Sequence, residues 1–332
     1  MNDRAVELLE QYEIEVLRTR KGRSAFLCDT DKGCLVFQEY RESAEQVRLQ
    51  DALLHHLAGT CPVRTEEIIP SREGELLVTD ADGVRYILKT RREGRECAVY
   101  DKAECTEAVR LLAKLHRCMQ LPADTPGIPV RFSPAKEYDK HNRELKKLRK
   151  YLRQKGQKQT FERNLLNECD YFLQQGLEVA GEWGKYSEVF EKRTCAGTET
   201  EMIAFCHGDF QYHNILMTGG GWFLVGFDHC QPDDPVRDLC LFLRKLMEKA
   251  NWSVSLGREL LGAYEKERPL SAQSRIDLCY RLSYPEKFWK IANFYYNSKK
   301  AWIPGKNQEK LDKLIAQEKA KQEFLDCVFR NP

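Results

Sequence analysis

From Met202 to Lys245 the chain reads M-I-A-F-C-H-G-D-F-Q-Y-H-N-I-L-M-T-G-G-G-W-F-L-V-G-F-D-H-C-Q-P-D-D-P-V-R-D-L-C-L-F-L-R-K, and no other stretch restricts the fold as much. Met202 to Cys206 is a short apolar run, the length of a buried strand. His207-Gly208-Asp209 opens a polar loop that carries Asn214. Ile215-Leu216-Met217 predicts a second strand, and Gly219-Gly220-Gly221 a turn. Trp222 to Phe227 predicts a third strand with Asp228 at its end. Pro235 then stands where a helix begins, and Val236, Leu239, Leu243 and Leu246 recur at helical spacing.

Two strands thus flank a loop bearing an acid and an amide, and a further acid follows the last strand. That layout suits phosphoryl transfer: one acid orients an acceptor hydroxyl, while the amide and the second acid hold a metal. Cys206, His207, His213, His229 and Cys230 also bring soft ligands together, but at no spacing typical of structural zinc.

H-G-D-x-x-x-x-N resembles the catalytic loop of the aminoglycoside phosphotransferase and choline kinase superfamily, a relative of protein kinases. The resemblance puts Asp209 on the catalytic base and Asn214 on a metal ligand. It makes His207 structural and gives Asp238 the bracing role of the D-L-A motif. In that superfamily the main metal-binding Asp lies twelve residues before the bracing Asp, and here that position is Gly226, in Val225-Gly226-Phe227. Glycine cannot ligate Mg²⁺. Asp228, two residues on, would share a strand face with position 226 and substitute in part.

The chain has 332 residues, room for two lobes. Hydrophobic residues make up 42% and the net charge is +2, so no global field argues for nucleic acid. No apolar run has the length of a membrane span, and the N-terminus lacks the apolar core of a signal peptide. Thirteen scattered cysteines with no Cys-x-x-Cys pair suit a reduced cytosol.

Arg4 to Glu13 predicts an amphipathic helix. Ile14–Thr19, Ser24–Asp29, Cys34–Tyr40, Glu66–Pro70, Leu76–Thr79 and Val84–Lys89 predict strands. Between them, Ser43-x-x-Gln46 predicts a capping box opening a helix with Val47, Leu53, Leu54 and Leu57 on one side. This order resembles a kinase N-lobe. Lys21-Gly22-Arg23 stands where a nucleotide-covering turn would be, although a plain hairpin explains it as well. The superfamily's phosphate-binding Lys falls on Gln38, which brings no charge. Glu42 and Glu45 stand where its helix partner would be, although a solvated helix face accounts for them better. Lys89 is assigned to the strand leading into the hinge-like segment Thr90–Glu96, not to the site. Glu104 to Met119 predicts a helix with a core histidine, His116. Phe161 to Ala180 predicts another, followed by a polar loop from Gly181 to Thr200. The stretch from Ala135 to Lys158 holds ten Lys/Arg against three Asp/Glu. It predicts either a solvated helix face or a docking surface for an acidic partner. Four more helices are expected from Leu256 to Phe329.

Tyr284 to Pro304, Phe227-Asp228-His229-Cys230 followed by Asp234-Pro235-Val236-Arg237-Asp238-Leu239, and Glu93-Gly94-Arg95-Glu96-Cys97 resemble segments of the spore coat protein S (CotS) family of endospore-forming bacteria. The resemblance implies an α+β, bilobal protein-kinase-like (aminoglycoside phosphotransferase-like) fold. A small sheet lobe, residues 1–91, would precede a larger, mostly helical lobe, residues 92–332. It also implies sporulation, with a protein made in the mother-cell cytoplasm and deposited on the spore coat among other coat proteins. Two functions are then open. One is a coat component whose kinase machinery is degraded, a pseudokinase needing no cofactor. The other is an ATP- and Mg²⁺-dependent small-molecule phosphotransferase using Asp209, Asn214 and Asp228, with Gln38, Glu45, Lys21 and Gly22 around the nucleotide.

Overall fold

Alternation along three strands decides which side chains meet the core and which meet the cleft. In β2 (Ala25–Thr30), following β1 (Val16–Lys21), Phe26 and Cys28 are buried; in β3 (Gly33–Glu39), Leu35 and Phe37 are. The strands β1, β2 and β3 are antiparallel neighbours, and the computed structural model describes residues 3–22, 25–128, 134–194, 202–298 and 305–330. Helix α1 (Ala44–Thr60) follows, then β4 (Arg64–Thr65), β5 (Val78–Thr79), β6 (Arg85–Thr90), β7 (Arg95–Glu96), α2 (Lys102–Cys118) and β8 (Gln120–Pro122). Next come α3 (Pro134–Gln154), α4 (Thr160–Thr194), β9 (Met202–Cys206), β10 (Ile215–Thr218), β11 (Gly221–Leu224) and β12 (Gln231–Pro232). The chain continues with α5 (Val236–Lys249), α6 (Val254–Glu267), α7 (Ala272–Ser283), α8 (Glu286–Asn297) and α9 (Gly305–Leu325). This is the expected α+β architecture: a small antiparallel sheet and a larger helical portion.

The chain forms two compact units. The first comprises Met1–Val130, Thr200–Phe242 and Leu260–Pro269. Its five-stranded sheet has the order β1-β2-β3-β6-β5, and β4-β11-β10-β7 and β12-β9-β8 form two smaller sheets. One face of the large sheet packs Phe26, Leu35, Phe37, Tyr86 and Leu88 with Leu9 of the N-terminal 3₁₀ turns (Asp3–Gln11) and with Tyr12, which follows them. Phe37 stacks on Tyr86 with ring centroids 5.2 Å apart. Period-2 alternation turns Ala25, Leu27, Val36, Gln38 and Lys89 to the opposite face, which lines a cleft.

The second unit comprises Arg131–Glu199, Leu243–Glu259 and Leu270–Pro332. Its core joins Leu145, Leu148 and Leu152 of α3, Phe161 to Leu173 of α4, Phe288, Ile291, Ala292 and Tyr295 of α8, and Leu311 of α9. Phe288 stacks on Phe172 at 4.5 Å.

Three local expectations are corrected. Gly181–Thr194 is not a loop: α4 runs on to Thr194. The buried stripe continues through Val179, Ala180 and Trp183, and the Trp183 indole donates to Asp277 Oδ1 at 2.7 Å. Residues 195–200 of that expected loop lie outside the described residues, as do Arg23, Ser24 and residues 299–304. Glu66–Pro70 is no strand beyond an isolated bridge from Ile68 to Lys89. The strand expected over Trp222–Phe227 ends at Leu224.

The added Cβ in Gly181→Ala meets no atom within 4 Å. Within a helix the change should raise unfolding free energy by about 0.5–1 kcal/mol, and Gly181→Pro should lower it by about 3 kcal/mol. Chemical denaturation checks both; two neutral changes would return this segment to a loop.

Candidate functional site

His207, Gly208 and Asp209 lie between β9 and a 3₁₀ turn at Tyr212–Asn214. One buried carboxylate fixes them. Asp238, fully buried in the first turn of α5, accepts from the His207 amide at 2.6 Å and the Gly208 amide at 2.9 Å. His116 Nε2 lies 3.1 Å from the same carboxylate, and its Nδ1 lies 2.8 Å from the Tyr264 hydroxyl. The His207 ring completes the turn: Nε2 faces the Val225 carbonyl at 3.1 Å, and Nδ1 accepts from the Asp209 amide. Gly208 has φ +83°, and a Cβ there would lie 2.0 Å from the His229 carbonyl oxygen, so only glycine fits. The Asp209 carboxylate reaches the cleft. It accepts from the Asn214 amide at 3.0 Å and from Gln211, with His213 Nε2 at 3.7 Å.

The opposite wall holds a buried ion cluster that the sequence reading did not assign. Lys89, 2% exposed, donates to Asp228 Oδ1 at 2.9 Å, to Oδ2 at 3.1 Å and to Glu66 Oε1 at 3.2 Å. The same Glu66 oxygen accepts from the Gly226 and Phe227 amides, each at 3.0 Å. Asp228 also accepts from Gln38 Nε2 at 3.0 Å and Gln50 Nε2 at 3.2 Å. Burial pushes the Asp228 carboxyl up, but the Lys89 ammonium and these amides outweigh it and hold the group below the ordinary carboxylate range. Burial likewise opposes the charge on Lys89, and Glu66 and Asp228 raise it above the usual lysine value.

Several assignments therefore change. Lys89 belongs to the site: it lies directly opposite Val36 in the ladder between β3 and β6, on the cleft face with Gln38. The signal was a lone cation in the apolar strand Tyr86-Ile87-Leu88-Lys89, out of phase with the core residues Tyr86 and Leu88. Glu45 is exposed in the first turn of α1; the residues of that helix that reach the loop are Gln46 and Gln50, one turn apart. The Gln46 amide donates to the Ser43 hydroxyl that caps the helix, but the Gln46 side chain does not return to Ser43 and donates to the Cys230 carbonyl at 2.6 Å. Glu42 is half-buried, 3.5 Å from His229. Gly22 closes its hairpin by donating to the Ala25 carbonyl at 2.8 Å and lines the cleft, while Lys21 is exposed at the end of β1.

Asp228 also does not share a strand face with Gly226. Gly226 is left-handed at φ +87°, and Phe227–His229 form a 3₁₀ turn. A Cβ at position 226 would lie 2.7–2.9 Å from the Asn214 amide group, so restoring an acid there displaces the neighbouring metal-ligand candidate. The residues as arranged do not fit a Mg²⁺ ion. Each Asp228 oxygen already accepts from two protein donors, and Asn214 turns its amide nitrogen to Asp209. Among the described residues no three His, Cys, Asp or Glu side chains converge as a metal site.

The cleft, about 310 Å³, is lined by Glu66, Glu96, Asp209 and Asp228 against Lys89 and Arg91. A loop that orients an acid, an Asn beside it and a buried Lys in one cleft are parts of phosphotransferase chemistry. The profile of the phosphotransferase enzyme family matches residues 15–270. The chain belongs to that family. Its kinase-like fold matches solved members. An aminoglycoside phosphotransferase from Alicyclobacillus acidocaldarius aligns with a TM-score of 0.80 at 16% identity, covering 99% of this chain and 96% of that one. An amicoumacin kinase, solved in complex with AMP-PNP, Ca²⁺ and Ami, aligns with a TM-score of 0.60 at 12% identity, covering 100% of this chain and 96% of that one. The chain is also 25% identical to spore coat protein S of Bacillus subtilis, over 96% of its own length and 92% of that protein's.

The brace makes a pH prediction. Burial holds His116 below its usual value, outweighing the opposing pull of the Asp238 carboxylate beside it. The Asp238 carboxyl, despite its burial, is held low by His116 and the His207 amide. Both folded values are depressed, so both contributions are present at neutral pH and lost on acidification. Unfolding free energy should begin to fall below about pH 6.5, where an unfolded His protonates, and fall further below about pH 3.9. Asp238→Asn should flatten the lower limb. Urea titrations across pH test this; an unchanged lower limb would contradict it.

Proposed function

We propose that the chain is a spore coat component built on a phosphotransferase scaffold whose nucleotide site has become a structural ion cluster. The observation that carries this reading is the Asp228 carboxylate. It is saturated by Lys89, Gln38 and Gln50, next to a left-handed Gly226 where the family resemblance expects the metal-binding acid. Similarity to spore coat protein S along nearly the whole chain supports the coat assignment, deposition from the mother-cell cytoplasm and contact with other coat proteins. Among the described residues no helix is long and apolar enough to cross a membrane.

The basic stretch of residues 135–158 is the contact surface in this reading. In α3 its apolar stripe Leu145, Leu148 and Leu152 is buried. Arg149 and Arg153 are held by Asp170 at 2.7 and 2.8 Å, and Lys155 by Glu162 at 2.5 Å. Lys136, Lys140, Arg143, Lys147 and Lys150 stay exposed at spacings of four, three, four and three, one continuous stripe. An acidic coat partner fits such a stripe. Reversing Lys140, Lys147 and Lys150 to Glu should reduce retention on the spore. Unchanged retention would make the stripe a solvated face.

The second reading, an ATP-dependent small-molecule hydroxyl phosphotransferase, is favoured by one observation: the Asp209 loop is fully braced and Lys89 brings a cation to the same cleft. Thermal shift and calorimetry with ATP and Mg²⁺ separate the two. The coat reading predicts binding weaker than about 1 mM, and Asp209→Asn protein incorporated as wild type. Binding near 1 µM, about 8 kcal/mol, would promote the enzyme.

A further inference from the structure

A second cavity, of about 200 Å³, lies within the second unit. It is formed by the C-terminal turns of α5, the start of α8 and one face of α9. Seven Lys or Arg side chains line it against three carboxylates, Glu248, Glu286 and Glu318. Each carboxylate already has partners. Glu248 pairs with Lys287, and Glu286 with Lys290 at 3.2 Å. Glu318 accepts at Oε1 from the Tyr171 hydroxyl at 3.2 Å, Gln175 at 2.9 Å and Gln322 at 2.7 Å, while its Oε2 is buried without a hydrogen-bond partner among the described residues. Lys245, Lys310 and Lys313 form no ion pair with any described residue. Lys245 is half-buried, and burial, opposed by Glu248 but reinforced by Lys287, Lys249 and Arg244, holds its pKa below the usual lysine value. Clustered cations around a cavity repel one another, and a fold with no use for them carries that cost for nothing.

The floor is apolar and ringed by aromatics. Phe172, Trp252 and Tyr284 line it together with Leu314 and Pro285. Trp252 is set there by an unusual backbone: Asn251 and Trp252 are both left-handed, at φ 47° and 54°. No glycine relieves that conformation, which costs about 1–3 kcal/mol per residue and persists only where surrounding contacts hold it. Here the Trp252 amide donates to the Met247 carbonyl at 2.8 Å, its ring packs against Phe324 at 5.5 Å, and Lys321 lies 5.8 Å from the ring centroid.

We propose that this cavity binds a small organic phosphate, its dianionic head among Lys245, Lys310 and Lys313 and its apolar or ring portion against the aromatic floor. The site shares no lining residue with the Asp209 cleft, and the proposal does not depend on whether that cleft turns over.

Phenyl phosphate and inorganic phosphate are the probes, titrated calorimetrically into the full chain at low and high KCl. Phenyl phosphate should bind more tightly than inorganic phosphate and weaken with salt. Lys245→Gln should lower its affinity at least tenfold, while Lys245→Arg retains binding and Asp209→Asn leaves it unchanged. Circular dichroism confirms that each variant is folded. In phosphate-free buffer Lys245→Gln should also raise the melting temperature, because it removes a half-buried cation from among Lys287, Lys249 and Arg244. No saturable binding, binding insensitive to Lys245→Gln, or binding abolished by Asp209→Asn would each overturn the proposal.

Discussion

The Lys89 ammonium, buried between Glu66 and Asp228, is the interaction on which the candidate site depends. Removing an ion from water costs several kcal/mol, and a buried pair is favourable only where every remaining donor and acceptor is matched. Here the matching partners come from separate elements. Glu66 follows β4 and clamps the backbone of Gly226 and Phe227; Asp228 takes amides from β3 and α1. One cation in β6 thereby ties the sheet, the helix and the loop after β11 together. Loss of Lys89 would leave the buried Glu66 and the half-buried Asp228 carboxylates facing each other without a counter-charge.

The brace around Asp209 is a separate device. Asp238 holds the loop by two main-chain amides, and Gly208 passes the His229 carbonyl so closely that no side chain fits. That half of the site does not depend on Lys89. On the proposed reading it persists as architecture: a tight turn that still positions an acid, beside a wall where the metal-binding function has given way to internal pairing. Gln38, Gln50 and Gly226 are mutually consistent in this respect. The two amides satisfy Asp228, and the missing side chain at 226 leaves room for Asn214.

The loop was legible in the sequence because its glycine, acid and asparagine lie together between positions 207 and 214 at a recognisable spacing, which in turn pointed to the bracing Asp238 at the start of the next helix. The ion cluster was not, because its members are 23 and 139 residues apart and meet only through strand register. Charge alone pointed to Glu45 as the residue of α1 that matters, whereas helix phase selects Gln46 and Gln50. Gly226 was read as a strand residue with a lost side chain; its left-handed backbone, which decides where Asp228 points, leaves no trace in an apolar run. Likewise Gly181 and Gly184 looked like a break, yet the buried stripe through Val179 and Trp183 carries α4 across them.

A double-mutant cycle on Lys89→Met and Asp228→Asn, measured by equilibrium unfolding without Mg²⁺ or nucleotide, tests most directly whether Asp228 is a structural partner. Buried ion clustering predicts a coupling of about 2–3 kcal/mol, each single change costing more than the second does in the presence of the first. A coupling near zero would contradict it, and would mean that Asp228 stands free to take a ligand.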